Sequence, residues 1–256
     1  MKNRIVTIAR YSVLEAMRTR LLLLTAVMVA ILLGASFFVR EIAITDSTRF
    51  QVAFYAAAAR FAAVFVAALY VIASMTREFH DKGLDAVLAL DLPRSHYILG
   101  KLAGFLAIAL VLAVVVALPL VPLAGWLPVA QWTASLAFEL AIVVALSLFC
   151  VVTFNQLMPA ASFVLAFYVL ARGLTAIRLI SASPVSGAHT PSHEAMRWLT
   201  EGIALVMPAL DGWTRTSWLV DQAASWSAIL TILGQSAVYV TLLAAAAVFD
   251  FQRRNF

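Results

Sequence analysis

Charge is what this sequence has least of: Asp, Glu, Lys and Arg together make up 12% of it, about half of the roughly 25% typical of a soluble domain. With hydrophobic residues at 64% and a mean hydropathy of +0.97, there is too little polar side chain to face water, and a soluble fold is excluded. Cysteine is nearly absent. The single Cys150 lies inside an apolar run, so the chain holds no disulfide framework and the residue reads as a small core side chain. Histidine is scarce too. His189 and His193 are four apart, but Pro191 stands between them and no third ligand is at hand, which argues against a metal site. No Gly-x-x-x-x-Gly-Lys-Ser/Thr occurs; Gly100-Lys101 lacks the upstream glycine and the following hydroxyl, so the chain does not cradle nucleotide phosphates itself. The net charge of +5 is not gathered into a basic and aromatic face of the kind that binds nucleic acid.

What the sequence does have is long apolar runs. They are continuous and rich in Leu, Ala and Val rather than alternating, which predicts an all-α membrane protein and not a barrel. Six spans follow. The first, residues 21–39, is nineteen residues without a charge, enough to cross ~30 Å of hydrocarbon at 1.5 Å per residue. The others are 51–75 (interrupted by Arg60), 102–123 (with Pro119 and Pro122 near its far end), 133–154, 160–180 and 226–249. No repeat or low-complexity linker divides the chain, so residues 1–256 read as one domain. The first span exceeds the ~7–15 apolar residues of a signal peptide and follows a long charged leader, so it reads as a retained helix.

Sidedness follows from Lys and Arg. Eleven lie on one side, in the leader, between spans two and three and in the tail; the opposite loops hold four, and Arg60, Arg172 and Arg178 fall inside spans. The rule that cytoplasmic loops are basic then predicts that both termini face the cytoplasm of an inner membrane. The leader, residues 1–20, has Arg4, Thr7, Tyr11, Glu15 and Arg18 on one helical face and Ile5, Ile8, Ala9, Val13 and Met17 on the other. This pattern predicts an amphipathic helix on the inner membrane surface, with its cations toward anionic headgroups.

Between spans two and three lies a polar island, residues 76–101. It carries Arg77, Lys82, Arg94 and Lys101 together with Glu78, Asp81, Asp85 and Asp91. Leu84, Val87 and Leu88 share one face of a short helix there, and Pro93 closes it by forcing Leu92 out of the α region. Ser95 is placed to cap the helix that becomes span three. A solvated loop has no need of an apolar face, so a docking role is expected.

The order Arg77-Glu78-Phe79, Lys82-Gly83, Leu88, Leu92-Pro93-Arg94-Ser95, Gly100-Lys101 resembles the cytoplasmic loop of ABC transporter type-2 permeases. The basic, aromatic ending Asp250-Phe251-Gln252-Arg253-Arg254-Asn255-Phe256 is similar as well, as are the six-span order, the amphipathic leader and the long external segment before the last span. The chain departs from the pattern at Leu84, where a polar residue commonly follows the glycine, and at Pro93-Arg94-Ser95, which reverses the usual Ser and Arg order. The resemblance implies a permease subunit, paired with a second copy, that docks a separate ATPase through a coupling helix. Arg77, Glu78, Phe79, Asp81, Lys82, Gly83, Leu84, Asp85, Val87 and Leu88 would form that docking surface. ATP and Mg would sit on the partner, with no cofactor on this chain, no chemistry of its own, and a periplasmic partner as a further option. The alternatives are a membrane assembly or signalling scaffold of the same fold, or an intramembrane enzyme; against the latter, no paired catalytic carboxylates and no base near Cys150 are found.

Charges inside spans are costly and usually face the bundle interior. Counted from the span ends at 1.5 Å per residue, Arg60, Glu139 and Arg172 fall in the outer half. Glu139 is expected to pair with Arg60 or Arg172, either as a lock between helices or as a polar site on an export path, while Arg178 is near enough to the interface to snorkel. Outside the membrane, residues 192–206 form an amphipathic segment along the outer interface, with Trp198, Trp213, Trp218 and Trp226 as headgroup-level anchors. Gln235 is a candidate for hydrogen bonding across helices, and Gly34, Gly104, Gly173 and Gly234 for close packing. Few polar residues line the spans, which slightly favours a lipid-like or amphipathic cargo.

Overall fold

The computed structural model describes residues 2–80, 93–182, 191–221 and 223–253. All regular structure among them is helical. Helix α1 is Lys2–Arg18, α2 Leu21–Ile42, α3 Ser47–His80, α4 Arg94–Ala117, α5 Trp126–Phe154, α6 Leu157–Ala182, α7 Pro191–Val206 and α8 Trp226–Arg253. Six of these, α2 to α6 and α8, are long and apolar enough to cross a membrane, as expected of a multi-pass membrane protein.

The breaks between helices have local causes. Arg20 separates α1 from α2 with a left-handed backbone (φ 58°), and Asn155 does the same between α5 and α6 (φ 55°), asparagine being one of the few residues that tolerates this region. Gly125 turns the chain into α5 at φ 80°, where a side chain would be strained. Prolines sit where their missing N–H is harmless: Pro128 and Pro159 fall in the first turns of α5 and α6. Pro119 and Pro122 do not end the third span. They tighten it into a 3₁₀ turn, Leu118–Leu120, followed by one helical turn, Val121–Ala124. The carbonyl of Val116, beside the Pro119 that brings no N–H, accepts from Tyr55 Oη of α3 at 2.8 Å.

Two boundaries differ from the sequence reading. Arg60 does not interrupt α3, whose 34 residues extend ~50 Å at 1.5 Å per residue, longer than the ~30 Å of a hydrocarbon core. Helix α4 starts at Arg94, not 102, and Pro93 occupies the cap position with no side-chain cap bond, so Ser95 does not serve as cap. Instead the Pro93 carbonyl accepts from the N–H groups of His96 and Tyr97.

Helix α5 is the axis of the bundle: 72% of its most apolar window is buried, against 17% for α2. It packs on α3, α4, α6 and α8, while α2 leans on α3. Lipid tails are as apolar as leucine, so contact quality rather than burial alone holds such helices together. The tightest contact joins α1 to α4. A Cβ placed on Gly100 would come within 2.8 Å of Ile8 Cβ, and one on Gly104 within 2.7 Å of Ser12 Cβ. Gly100 and Gly104 thus form a small-residue pair four apart that seats α1 against protein. The apolar face of the leader is used on α4, and Met17, assigned to that face from sequence, is exposed. Of the other glycines read as packing sites, Gly34 and Gly234 have open space beside them and Gly173 only an ordinary contact to its own helix.

Candidate functional site

Two polar constellations interrupt the apolar bundle, toward opposite ends. The first stands where α3 ends and α4 begins. Lys101, only 6% exposed, forms an ion pair with Glu78 of α3 and lies 3.8 Å from Glu15 Oε2 of α1. Ser74 Oγ donates to the other Glu15 oxygen at 2.9 Å. The ammonium also sits 5.9 Å from the centre of the Phe105 ring. One lysine therefore ties three helices together at the root of the segment that links α3 to α4. The C-terminal end of α8 closes on the same region. Phe251 is buried and stacks on Tyr97 at 5.8 Å, Arg94 donates to the Gln252 carbonyl at 3.3 Å, and Thr153 of α5 donates to Asp250 at 2.7 Å.

Of the residues assigned to docking, Arg77 is exposed near the end of α3, Glu78 is held by Lys101, and Phe79 is partly buried against the core. Asp81, Lys82, Gly83, Leu84, Asp85, Val87 and Leu88 lie outside the described residues, as do Asp91 and Leu92. His189 and the side chain of His193 lie outside them as well. Helix α7 begins at Pro191, and Trp198 and Trp226 are exposed as interface anchors would be. Trp213 is not: it is 2% exposed, drawn into the bundle with Leu210 and Thr214 of the same connection, while Ala209 and Arg215 stay exposed. Gln235 is exposed, and its neighbour Ser236 makes the interhelical bond, to the Phe138 carbonyl at 3.2 Å.

The second constellation is built on Arg60, Glu139 and Arg172, from α3, α5 and α6. The structure brings all three together. Glu139 is fully buried, and Arg172 Nη1 lies 3.4 Å from its Oε1. Tyr168 Oη donates to the same oxygen at 2.8 Å, and Thr214 Oγ1 donates to Oε2 at 2.5 Å. The guanidinium groups reach past the carboxylate to backbone carbonyls of the connection before α8. Arg172 bonds those of Leu210 at 2.7 Å and Trp213 at 3.2 Å, and Arg60 bonds that of Thr214 at 2.8 Å. Ser135 accepts the Thr214 N–H at 2.9 Å.

Thr214 carries a positive φ of 45°, an outlier for a β-branched residue and a strain of order 1–3 kcal/mol. It persists because its N–H and hydroxyl are held by Ser135 and Glu139 of α5 and its carbonyl by Arg60 of α3. An irregular segment buried among apolar helices needs such partners, since no water satisfies its backbone there. Arg60, Glu139 and Arg172 thus meet the connection before α8 between α3, α5 and α6. The expected pair exists, with Arg172. No sequence pattern singled out Thr214, Ser135 or Tyr168, because a threonine in a polar connection looks like any other until the fold turns it inward.

No protein-family model matches this chain, and no curated protein matches it either.

Proposed function

We propose that the chain is the membrane-spanning permease subunit of an ATP-driven ABC exporter, with both termini cytoplasmic and a second copy completing the passage. A separate ATPase would dock on residues 77–92, and the protein would do no chemistry of its own. The observation that carries this reading is the Lys101 bridge. Glu78 and Lys101 stand on the two stems of the proposed docking segment, paired with each other, and Lys101 also reaches Glu15 on α1. A push on that segment is therefore delivered to α1, α3 and α4 as one unit, and through Tyr97 and Phe251 to α8. Coupling of this kind needs a buried, rigid root, and a solvated loop between two spans does not require one. In this reading α1 is the interfacial leader and α7 lies along the outer surface, where Leu199, Ile203 and Val206 present an exposed apolar face toward lipid. The low polarity of the spans favours a lipid-like or amphipathic cargo.

The test is reconstitution with a candidate ABC ATPase in liposomes. Wild-type chain should co-purify with it and raise its ATP hydrolysis, and Glu78→Ala combined with Leu88→Ala should abolish both. An ATPase that neither binds the chain nor responds to it would overturn the reading. Binding and stimulation without movement of any solute would assign the chain to the scaffold class instead.

A further inference from the structure

A crevice of about 500 Å³ opens at the membrane boundary beside the Lys101 bridge, lined among others by Tyr11, Glu15, Arg18, Arg77, Glu78 and Lys101. This is within the roughly 300–1,000 Å³ range of small-molecule sites. Its charges are unevenly satisfied. Glu15 and Glu78 are turned to Lys101 and Ser74, whereas Arg18 and Arg77 are bonded to no carboxylate among the described residues. Two arginines thus line one opening with no ion pair of their own among the described residues, and Tyr11 and Thr19 add hydroxyls to its lining. A second, narrower cleft of about 150 Å³ shares Glu15, Thr19, Ser74 and Arg77 with the first and continues between α2 and α3 along Leu21, Leu24, Tyr70 and Ala73. The Tyr70 hydroxyl is buried at this junction without a well-formed hydrogen bond.

A cationic mouth joined to an apolar slot at the membrane boundary matches the two halves of a lipid. We propose that Arg18 and Arg77 bind the phosphate of an anionic membrane lipid, whose acyl chain lies in the cleft between α2 and α3. Guanidinium suits this role because its planar fork meets phosphate oxygens two at a time. The same mouth chemistry accepts any phosphate-bearing group, so the slot is what selects a lipid over a soluble phosphate. The site is a resident lipid site at the root of the bundle, and it would fill whether or not an ATPase docks nearby.

Native mass spectrometry of the full chain, released from detergent after titration with phosphatidylglycerol or phosphatidylcholine, tests this. Phosphatidylglycerol is expected to be retained and phosphatidylcholine not. Arg18→Gln with Arg77→Gln should weaken retention about 30-fold, at about fivefold per arginine near an anionic headgroup. Arg4→Gln with Arg10→Gln, which removes the same charge elsewhere on α1, should leave it unchanged. Ala73→Phe should fill the slot and cut phosphatidylglycerol retention while leaving the mouth intact. Glycerol 3-phosphate, which has the headgroup chemistry and no chain, should fail to displace the lipid at millimolar concentration. Equal retention of both lipids, or equal loss from the Arg4 and Arg10 pair, would refute the site. Displacement by glycerol 3-phosphate, with no effect of Ala73→Phe, would refute the lipid and assign the mouth to a soluble phosphate.

Discussion

Replacing Glu139 by Gln tests most directly whether this cluster holds residues 207–216, because it removes a charge and almost no volume. The carboxylate accepts from Tyr168, Thr214 and Arg172 and is the one negative group facing the guanidiniums of Arg60 and Arg172 among the described residues. Interhelical hydrogen bonds in a bilayer average about 0.6 kcal/mol each, and the Gln amide oxygen can still accept from Tyr168 and Arg172, so loss of the Thr214 bond alone sets a lower bound of about 0.6 kcal/mol. Removing one partner of a buried ion pair sets an upper bound of about 3–5 kcal/mol, since the remaining charge is left uncompensated. At roughly 2–4 °C per kcal/mol for a chain of this size, guanidiniums left uncompensated at a cost of about 3 kcal/mol should lower the melting temperature by about 6–12 °C. Thermal unfolding in one fixed detergent measures this, with Glu41→Gln, an exposed carboxylate, as the control. A second readout asks whether the connection itself is released. In a Cys150→Ala background, a cysteine introduced by Leu210→Cys should resist maleimide in the folded protein, because Leu210 is fully buried, and should react once Glu139→Gln is added. If Glu139→Gln melts with the Glu41→Gln control and leaves that cysteine protected, the cluster does not hold the segment and the reasoning fails.

Other outcomes follow from the same geometry. Gly104→Ala should destabilise by about 1–3 kcal/mol and loosen α1, because the new methyl meets Ser12 and the Ala9 backbone. Gly34→Ala, with open space beside it, should instead be neutral or stabilising by up to ~1 kcal/mol; limited proteolysis and thermal melts of the pair distinguish the two. Lys101→Met should keep the ATPase bound yet lower its stimulation by the chain, since the docking residues stay while the bridge to α1 is cut; unchanged stimulation would remove the bridge from the coupling route. Asp221→Asn breaks an exposed pair with Arg49 and should change stability by no more than about 1 kcal/mol in a denaturant titration.

The sequence by itself determined the solvent, the number of spans and their approximate limits. These depend on composition and length: a run of about twenty apolar residues satisfies its own backbone only as a helix, wherever its neighbours lie. It also placed Arg60, Glu139 and Arg172 at a common depth, because rise per residue is the same in every helix. Helix ends were legible less well, since Pro93 displaced Ser95 as the cap through backbone geometry that no side-chain pattern records. Only the tertiary structure decided which charges meet and what they hold. Glu139 chose Arg172, and both guanidiniums reached carbonyls of a connection that reads as external loop. Lys101, Glu15 and Glu78 are scattered over three segments of the chain, yet one ammonium joins them. Partner choice depends on how helices rotate about their axes, and that rotation is set by contacts such as Gly104 against Ser12, which are non-local. The composition of the chain specifies where its helices run; the packing among them specifies which polar groups are left to act.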